Sequence, residues 1–324
     1  MMKKIFKLLL FMSLIVIVSG ATFFMYAKNK FVSAYNLTEE YEVLIPRGTG
    51  LNRTAQILAD KQVIDDARWL ILFARVKGVE NNLKAGEYAF FGQVSYENIL
   101  KKLVKGDVIV RSLTIPEGKV LAEIRKIVEE NPYLEGDITL SLAEGEILPE
   151  TYRFVRGEQR DEILKKARQE MKKTLSEVFA GRDDNLPINS EQELLTLASI
   201  VEKETGIVSE RPQVASVFIN RLRLGMKLQT DPTVIYAVTN GEMNLGRPIY
   251  KRDLVYDSPY NTYVYAGLPP GPICSPGKEA IYAVAHPDTT AYLYFVADGV
   301  TGGHRFATTL AEHNQNVAHY RGLQ

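Results

Sequence analysis

Residues 194–205 read LLTLASIVEKET, a run apolar enough for a core helix that nevertheless ends on two acids, Glu202 and Glu204. Ser190 with Glu193 makes a capping box that starts a helix at Glu191, and Gly206 stops it after Thr205. At helical spacing Glu202 lies over Ser199 and Ala198 and shares a face with Leu195, whereas Glu204 lies over Ile200 and Val201. A carboxyl group held against apolar neighbours has a raised pKa and can donate a proton. The competing reading is an ordinary helix end entering solvent, with Lys203 beside two acids. Spacing does not choose between Glu202 and Glu204.

Helices and loops follow downstream. Ser209 or Glu210 opens a helix that Pro212 tolerates in its first turn and Gly225 ends; Asp231-Pro232 caps Thr233–Val238. Residues 257–277 are loop-rich, Ser275-Pro276 caps a helix through Ala285, Tyr292–Val296 reads as a strand, and Thr309 with Glu312 caps the last helix. Upstream, Asp161–Phe179 is a long amphipathic helix. Tyr41–Ile45, Thr54–Lys61, Asp66–Val76 and Lys84–Phe91 read as strand, helix, helix, strand, and Ser95 caps a further helix. The segment VLIPRG (43–48) is echoed by LTIPEG (113–118), which suggests a partial repeat. Helices mixed with short strands and long loops give an α+β class.

Beyond these elements lies an amino-terminal segment of different composition. LLLFMSLIVIVSGATFFMYA (8–27) carries no charge and stands between Lys7 and Lys28. Twenty helical residues at about 1.5 Å each cover the hydrocarbon core of a bilayer, roughly 30 Å. Ser19-Gly20-Ala21 is a weak cleavage site, and the apolar run continues past it through Phe23, Phe24 and Met25, so an uncleaved anchor is the better reading. The 324-residue chain has 39 basic and 39 acidic residues, but five lysines precede Glu39 and no acid does. The remainder is mildly acidic, which argues against a strongly basic nucleic-acid binder. Cys274 is the only cysteine, so no intrachain disulfide and no cysteine-based metal cluster can form.

Other chemistry finds little support. Loop 267–277 lacks the Gly-Lys-Ser/Thr ending of a phosphate loop. Tyr260, Tyr263 and Tyr265 beside Asn261 would suit a carbohydrate, with flat faces to stack and an amide for hydroxyls; filling a half-buried sheet edge is the plainer reading. His286, His304, His313 and His319 cluster late without HExxH spacing, so no metal is expected. His304, after Gly302-Gly303, could orient a substrate or tie down a turn. No Gly-x-Ser-x-Gly elbow occurs.

Taken together, ordered blocks of this chain resemble the endolytic murein transglycosylases, the YceG-like family. They are LASIVEKET (197–205), VASVFINRL (214–222), LQTDPTVIY (228–236), YNTY (260–263) with GLPPGPI (267–273), AHP (285–287), LYFVADG (293–299) and GGHRF (302–306). The resemblance implies an α+β fold with a single amino-terminal transmembrane helix, a LysM-like small domain that binds N-acetylglucosamine polymers, and an α+β catalytic domain. The ranges expected are 1–7 for a cytoplasmic tail, 8–27 for the membrane helix, 38–108 for the LysM-like domain, 109–180 for a linking region, and 181–324 for the catalytic core.

The same resemblance maps the catalytic acid onto Glu202 and leaves Glu204 a supporting role. It implies a lyase-type lytic transglycosylase that cleaves the β-1,4 bond between N-acetylmuramic acid and N-acetylglucosamine and leaves 1,6-anhydro ends, without metal or cofactor. Glu202 would first act as acid and then as base toward the sugar's own C6 hydroxyl. Gln229, Asn261, Tyr263, Glu150 and His304 are the expected substrate-binding residues. The expected partners are peptidoglycan strands and penicillin-binding glycan polymerases, with no nucleic acid. The expected location is a cell membrane crossed once, amino terminus in the cytoplasm and catalytic domain outside. Two other readings stand beside it: a hydrolytic muramidase with Glu204 or Asp231 as second carboxylate, and a non-enzymatic wall-binding scaffold.

Overall fold

The computed structural model describes residues 2–241 and 245–323. Met1 of the expected tail and residues 242–244 and 324 of the expected catalytic core lie outside the described residues. The chain divides into two compact units, one running to Arg111 and adding Val155–Gly157, the other comprising Ser112–Phe154 and the remainder from Glu158.

The first unit opens with α1 (Met2–Val32), which has no buried residue and is long and apolar enough to cross a membrane. It continues through β1 (Tyr35–Ile45), α2 (Leu51–Asp60), α3 (Ala67–Val76), β2 (Gly86–Val94) and α4 (Tyr96–Lys105). β1 and β2 pair antiparallel with Val43 opposite Tyr88. The pair and the helices enclose a core that includes Val43, Leu58, Leu70, Tyr88, Tyr96 and Leu103. Strand β1 starts six residues before the expected Tyr41, because Tyr35–Leu37 pair with Gly92–Val94 and a register shift between Leu37 and Tyr41 accommodates the acidic residues Glu39 and Glu40. Asp66 caps α3 by accepting from Arg68 N, and Ser95 caps α4 by accepting from Asn98 N, as their sequence positions suggest. Glu87 is buried on β2, between Arg111 and Arg156 at 2.7 Å each. Burial works to raise its pKa, but the two guanidinium groups outweigh it and hold the carboxylate below its ordinary range.

The chain then forms β3 (Val110–Thr114), α5 (Leu121–Glu129), β4 (Leu134–Glu135), β5 (Thr151–Val155) and β6 (Glu158–Gln159). β3 pairs with β5, and the short β4 pairs parallel with β6. After them come α6 (Arg160–Ala180), α7 (Glu191–Glu204), a 3-10 turn at Val208–Glu210, α8 (Arg211–Arg223), α9 (Asp231–Thr239), α10 (Lys278–Ala285), β7 (Tyr294–Ala297), β8 (His304–Ala307) and α11 (Leu310–Gly322). The result is an α+β chain with one amino-terminal apolar helix.

Helix α7 is the centre of the second unit. Its eight residues Leu194–Val201 are all buried, against Val214, Ala215 and Phe218 of α8 and Ile281 and Val284 of α10. A helix buried on every side is a core helix: its mid-helix polar side chains, Thr196 and Ser199, are taken up by internal hydrogen bonds, and the polar groups left to face a site are at its ends. Two expected caps differ. Thr230, not Asp231, is the N-cap of α9. Gly277, not Ser275, precedes α10, because Ser275 is bridged to Lys119: Ser275 N donates to Lys119 O at 2.9 Å and Ser275 O accepts from Gly118 N at 2.9 Å. The expected lone strand near Tyr292 is one arm of a hairpin in which β7 and β8 pair antiparallel with Ala297 opposite His304.

Candidate active site

The polar end of α7 meets two loops. The first, Pro116–Lys119, follows β3; the second, Ser275–Gly277, leads into α10, and the Lys119–Ser275 bridge holds them together. Gly118 turns with φ +71°, and a Cβ there would face Glu202 Cγ at 3.7 Å, so the first loop lies directly against the glutamate. Gly277 has ordinary backbone angles, and a Cβ on it would stand 1.8 Å from Glu117 Oε1. Bare backbone at 277 brings its N–H within 3.0 Å of Glu202 Oε2.

The other oxygen of Glu202 accepts from Arg211 Nη2 at 2.9 Å, and the same nitrogen lies 3.3 Å from Glu117 Oε2. The side chains of Arg211 and Glu202 are 4% and 6% exposed, whereas that of Glu117 is 44% exposed. Arg211 is therefore a buried cation shared by one sheltered and one wetted carboxylate. Its Nε and Nη1 are buried without a hydrogen-bond partner, which leaves donor capacity beside Glu202. Burial pushes the Glu202 pKa up, against the Gly277 N–H and the Arg211 charge, and Glu117 adds to the rise. The net direction follows from burial, which outweighs the Gly277 N–H and the Arg211 charge, while Glu117 offsets part of the arginine's effect.

A second polar group gathers around Glu204. Thr230 Oγ1 donates to Glu204 Oε1, and Tyr263 Oη donates to Asp231 Oδ1 at 2.7 Å. His304 Nδ1 lies 2.9 Å from Glu210 Oε2, and His304 N donates to Glu210 Oε1 at 3.0 Å. Burial pushes Glu204 up to about 7 despite the Thr230 bond, with Asp231 adding repulsion. Since Glu210 precedes Arg211, the start of α8 holds one residue toward each polar group.

The expected site residues divide between these groups. Glu150 is exposed and pairs with Lys278 at 2.8 Å, one residue after the Gly277 that binds Glu202. Tyr263 and His304 belong to the Glu204 group, and Gln229 borders it, exposed, with φ +50° and its N–H donating to Thr262 O. Asn261 has a different situation: it is fully buried, and its amide nitrogen lies within bonding distance of the carbonyls of Asp253, Leu254 and Tyr256. Its oxygen accepts from Tyr263 N. The Asn261 side chain thus shapes the loop and offers no group at the surface. Sequence reasoning did not single out Glu117, Arg211 or Gly277. The repeated IPxG segment drew attention to Glu117 only as part of a turn, and Arg211 stood at a helix start where a charge is unremarked.

Comparison with known proteins agrees with this architecture. The profile of the YceG-like family matches residues 43–319. The chain is 32% identical over 307 residues to a Bacillus subtilis (strain 168) protein named endolytic murein transglycosylase, covering 85% of this chain and 83% of that one. It is 30% identical over 327 residues to the endolytic murein transglycosylase of Streptococcus pneumoniae serotype 2, again over 85% of this chain but only 57% of the pneumococcal protein. The chain thus spans little more than half of that longer relative. A crystal structure of a Listeria monocytogenes protein described as YceG-like superposes with a TM-score of 0.52 at 30% identity, covering 86% of this chain and 99% of that one.

Proposed function

The chain belongs to the YceG-like family, and from that premise we propose that it is a membrane-anchored lytic transglycosylase whose acid is Glu202. Its reaction breaks the β-1,4 bond between N-acetylmuramic acid and N-acetylglucosamine in peptidoglycan and leaves a 1,6-anhydro end. Glu202 gives its proton to the glycosidic oxygen as the C1–O bond breaks and positive charge develops at the muramyl C1. The carboxylate so formed then takes the proton of the C6 hydroxyl, whose oxygen closes onto C1. Water takes no part, and the glutamate ends the cycle protonated.

The observation that carries this reading is the setting of Glu202: sheltered, held at both oxygens by Arg211 and Gly277 N–H, and raised in pKa by burial. A general acid needs a proton at working pH and a fixed position, and this setting supports both. It also counts against inverting hydrolysis. An inverting glycosidase leaves a gap of roughly 6.5–9.5 Å between its carboxyl groups for a water, whereas the carboxylate nearest through Arg211, Glu117, has the arginine nitrogen standing between it and Glu202. Glu204 and Asp231, the other candidates for a second carboxylate, are engaged by Thr230 and Tyr263. Around the acid, Glu150 would serve the rim, and Gln229, Tyr263 and His304 a flanking sugar subsite.

The remaining parts of the reading concern attachment. The strand–helix–helix–strand portion, residues 38–108, would act as a LysM-like glycan-binding domain. A groove between the β1–α2 and α3–β2 loops, lined by Asn52, Arg53, Arg75, Glu80 and Asn81 among others, supports this, as does a buried Glu80 oxygen without a partner. Residues 109–180 would link it to the catalytic core at 181–324. With residues 1–7 in the cytoplasm, the enzyme would work on strands near the bilayer, beside the glycan polymerases that make them.

Product analysis tests the chemistry. Purified peptidoglycan strands treated with the protein should yield ends lighter by one water than hydrolytic products; reducing ends would replace this reading with a muramidase. Glu202→Gln should abolish cleavage with the fold intact by circular dichroism. Unchanged cleavage would remove Glu202 from the reaction, and no cleavage by the unaltered protein would favour the scaffold.

A further inference from the structure

The first unit is joined to α1 by more than chain connectivity. Phe23 stacks on Trp69 with ring centroids 6.2 Å apart, Tyr26 meets the same indole edge-on at 5.7 Å, and Phe31 packs on Phe73 at 4.7 Å. Lys30 Nζ pairs with Asp65 at 2.5 Å just before α3. Helix α3 is thereby fixed against the last three turns of α1.

That contact determines a depth. Phe23 and Phe24 belong to the uncharged run 8–27, and Phe23 stands four residues from its end, about 6 Å inside the hydrocarbon boundary. Trp69 touches Phe23, so the indole reaches the level where the apolar span meets the headgroups. Tryptophan prefers that level, with its ring in the apolar layer and its N–H toward water. Beside Trp69, Phe24 and Ala27 of α1 and Leu72, Phe73 and Val76 of α3 wall an apolar groove, with Lys28 and Lys77 at its edge. Val76 is 74% exposed, Phe24 68% and Leu72 36%. The protein leaves this apolar surface uncovered next to the span, and the two lysines suit anionic headgroups.

We propose that α3 is a membrane-surface element: Trp69, Leu72 and Val76 enter the outer boundary of the bilayer, and a lipid fills the groove between α1 and α3. The proposal rests on α1 spanning the membrane and is independent of the chemistry assigned to Glu202. The occupant is lipid because the groove is continuous with the span and is edged by cations.

Trp69 is the only tryptophan in the chain, so its fluorescence reports this one site. The full-length protein is reconstituted in vesicles of phosphatidylethanolamine and phosphatidylglycerol carrying a spin-labelled lipid, labelled on the headgroup, near the glycerol or near the chain end. Trp69 should emit blue-shifted and lose most intensity to the label near the glycerol. In Trp69→Phe/Val76→Trp the reporter moves to the far end of α3, and the shallow labels should quench it also. A Val76→Trp signal quenched by aqueous iodide but by no lipid label would overturn the proposal. So would a dry Trp69 signal insensitive to every lipid label, or one that turns aqueous when protein is diluted into more lipid, since both would assign the groove to another protein chain. Quenching of native Trp69 reads out even if the double variant fails to fold.

Discussion

Arg211 Nη2 faces Glu202 Oε1 across 2.9 Å while lying 3.3 Å from Glu117 Oε2, so the proton affinity of the sheltered glutamate depends on a residue 85 positions earlier in the chain. The arrangement separates two functions that an isolated carboxyl could not combine. Arg211 fixes the position of Glu202, and Glu117 offsets the charge by which Arg211 would otherwise strip its proton.

Removing the charge of Glu117 should therefore make Glu202 more acidic. In Glu117→Gln the rise contributed by Glu117 is lost, Glu202 gives up its proton at lower pH, and the basic limb of kcat/KM for glycan cleavage moves down, by a small step because Glu117 is partly screened by solvent. A pH profile of kcat/KM checks this. An unmoved basic limb would separate Glu117 from the proton affinity of Glu202.

Arg211 carries the opposite sign. Arg211→Ala should raise the Glu202 pKa further, so that the glutamate stays neutral to higher pH, and cost about 1–3 kcal/mol of stability for the lost buried hydrogen bonds. Arg211→Lys keeps the charge, loses the second contact, and should fall between the two. Denaturant unfolding with the pH profile distinguishes loss of fold from loss of position.

Gly277→Ala tests the same assembly from the backbone side. The added Cβ overlaps Glu117 from Oε1 back to Cγ, a flexible and partly exposed side chain and no backbone atom, so the fold should survive with a cost of about 1–3 kcal/mol while Glu117 swings off Arg211. Its pH profile should copy that of Glu117→Gln, and the double variant should show no further shift. Simple addition of the two shifts would mean that the sites act independently.

Much of this framework was legible from the chain alone. The Ser95, Ser190 and Thr309 caps and the apolar run of α7 follow from local rules, and the three serine or threonine side chains accept from the expected N–H groups. Strand β1 was read short because Glu39 and Glu40 look like loop residues until Val94 and Gln93 are known to face Tyr35 and Asn36. The site was half legible for the same reason. Glu202 stands out because a polar residue ends a core helix, but its partners Glu117 and Gly277 arrive from loops that only the Lys119–Ser275 bridge brings together. Asn261 looked available for a ligand and is consumed by loop carbonyls, a distinction that residue type does not carry.

The second polar group gives a stability signature. Glu204, and outside that group Glu144, whose carboxylate accepts from Leu121 N, are both pushed up to about 7 by burial, from an ordinary value of 4.5. Between those values the native protein holds protons that the unfolded chain has released. Their contribution is therefore complete below about 4.5 and is lost as pH rises through 7, by at most roughly 3 kcal/mol for each group. Glu204→Gln, which keeps a neutral side chain, should be more stable than the unaltered protein at pH above about 7 and lose that advantage in mild acid. Thermal unfolding across pH measures the difference; a constant offset would show that Glu204 is ionised throughout.

In the first unit, Glu87→Ala leaves Arg111 and Arg156 without the carboxylate they share. Unfolding should be easier by about 1–3 kcal/mol, the cost of losing charged hydrogen bonds at a buried site, whereas Glu42→Ala, which removes a more exposed contact to Arg111 at 3.2 Å, should cost under about 1 kcal/mol. Chemical denaturation of the two variants compares them directly.

Only Ser33 and Ala34 separate the end of α1 from the first strand. Two residues reach no more than about 7 Å, so this joint cannot act as a long leash. A flexible linker would let the first unit sweep a hemisphere above its anchor and dilute its local concentration over that volume. Here the first unit travels wherever the anchor diffuses, so whatever it meets is met in the plane of the membrane, a two-dimensional search governed by lateral mobility.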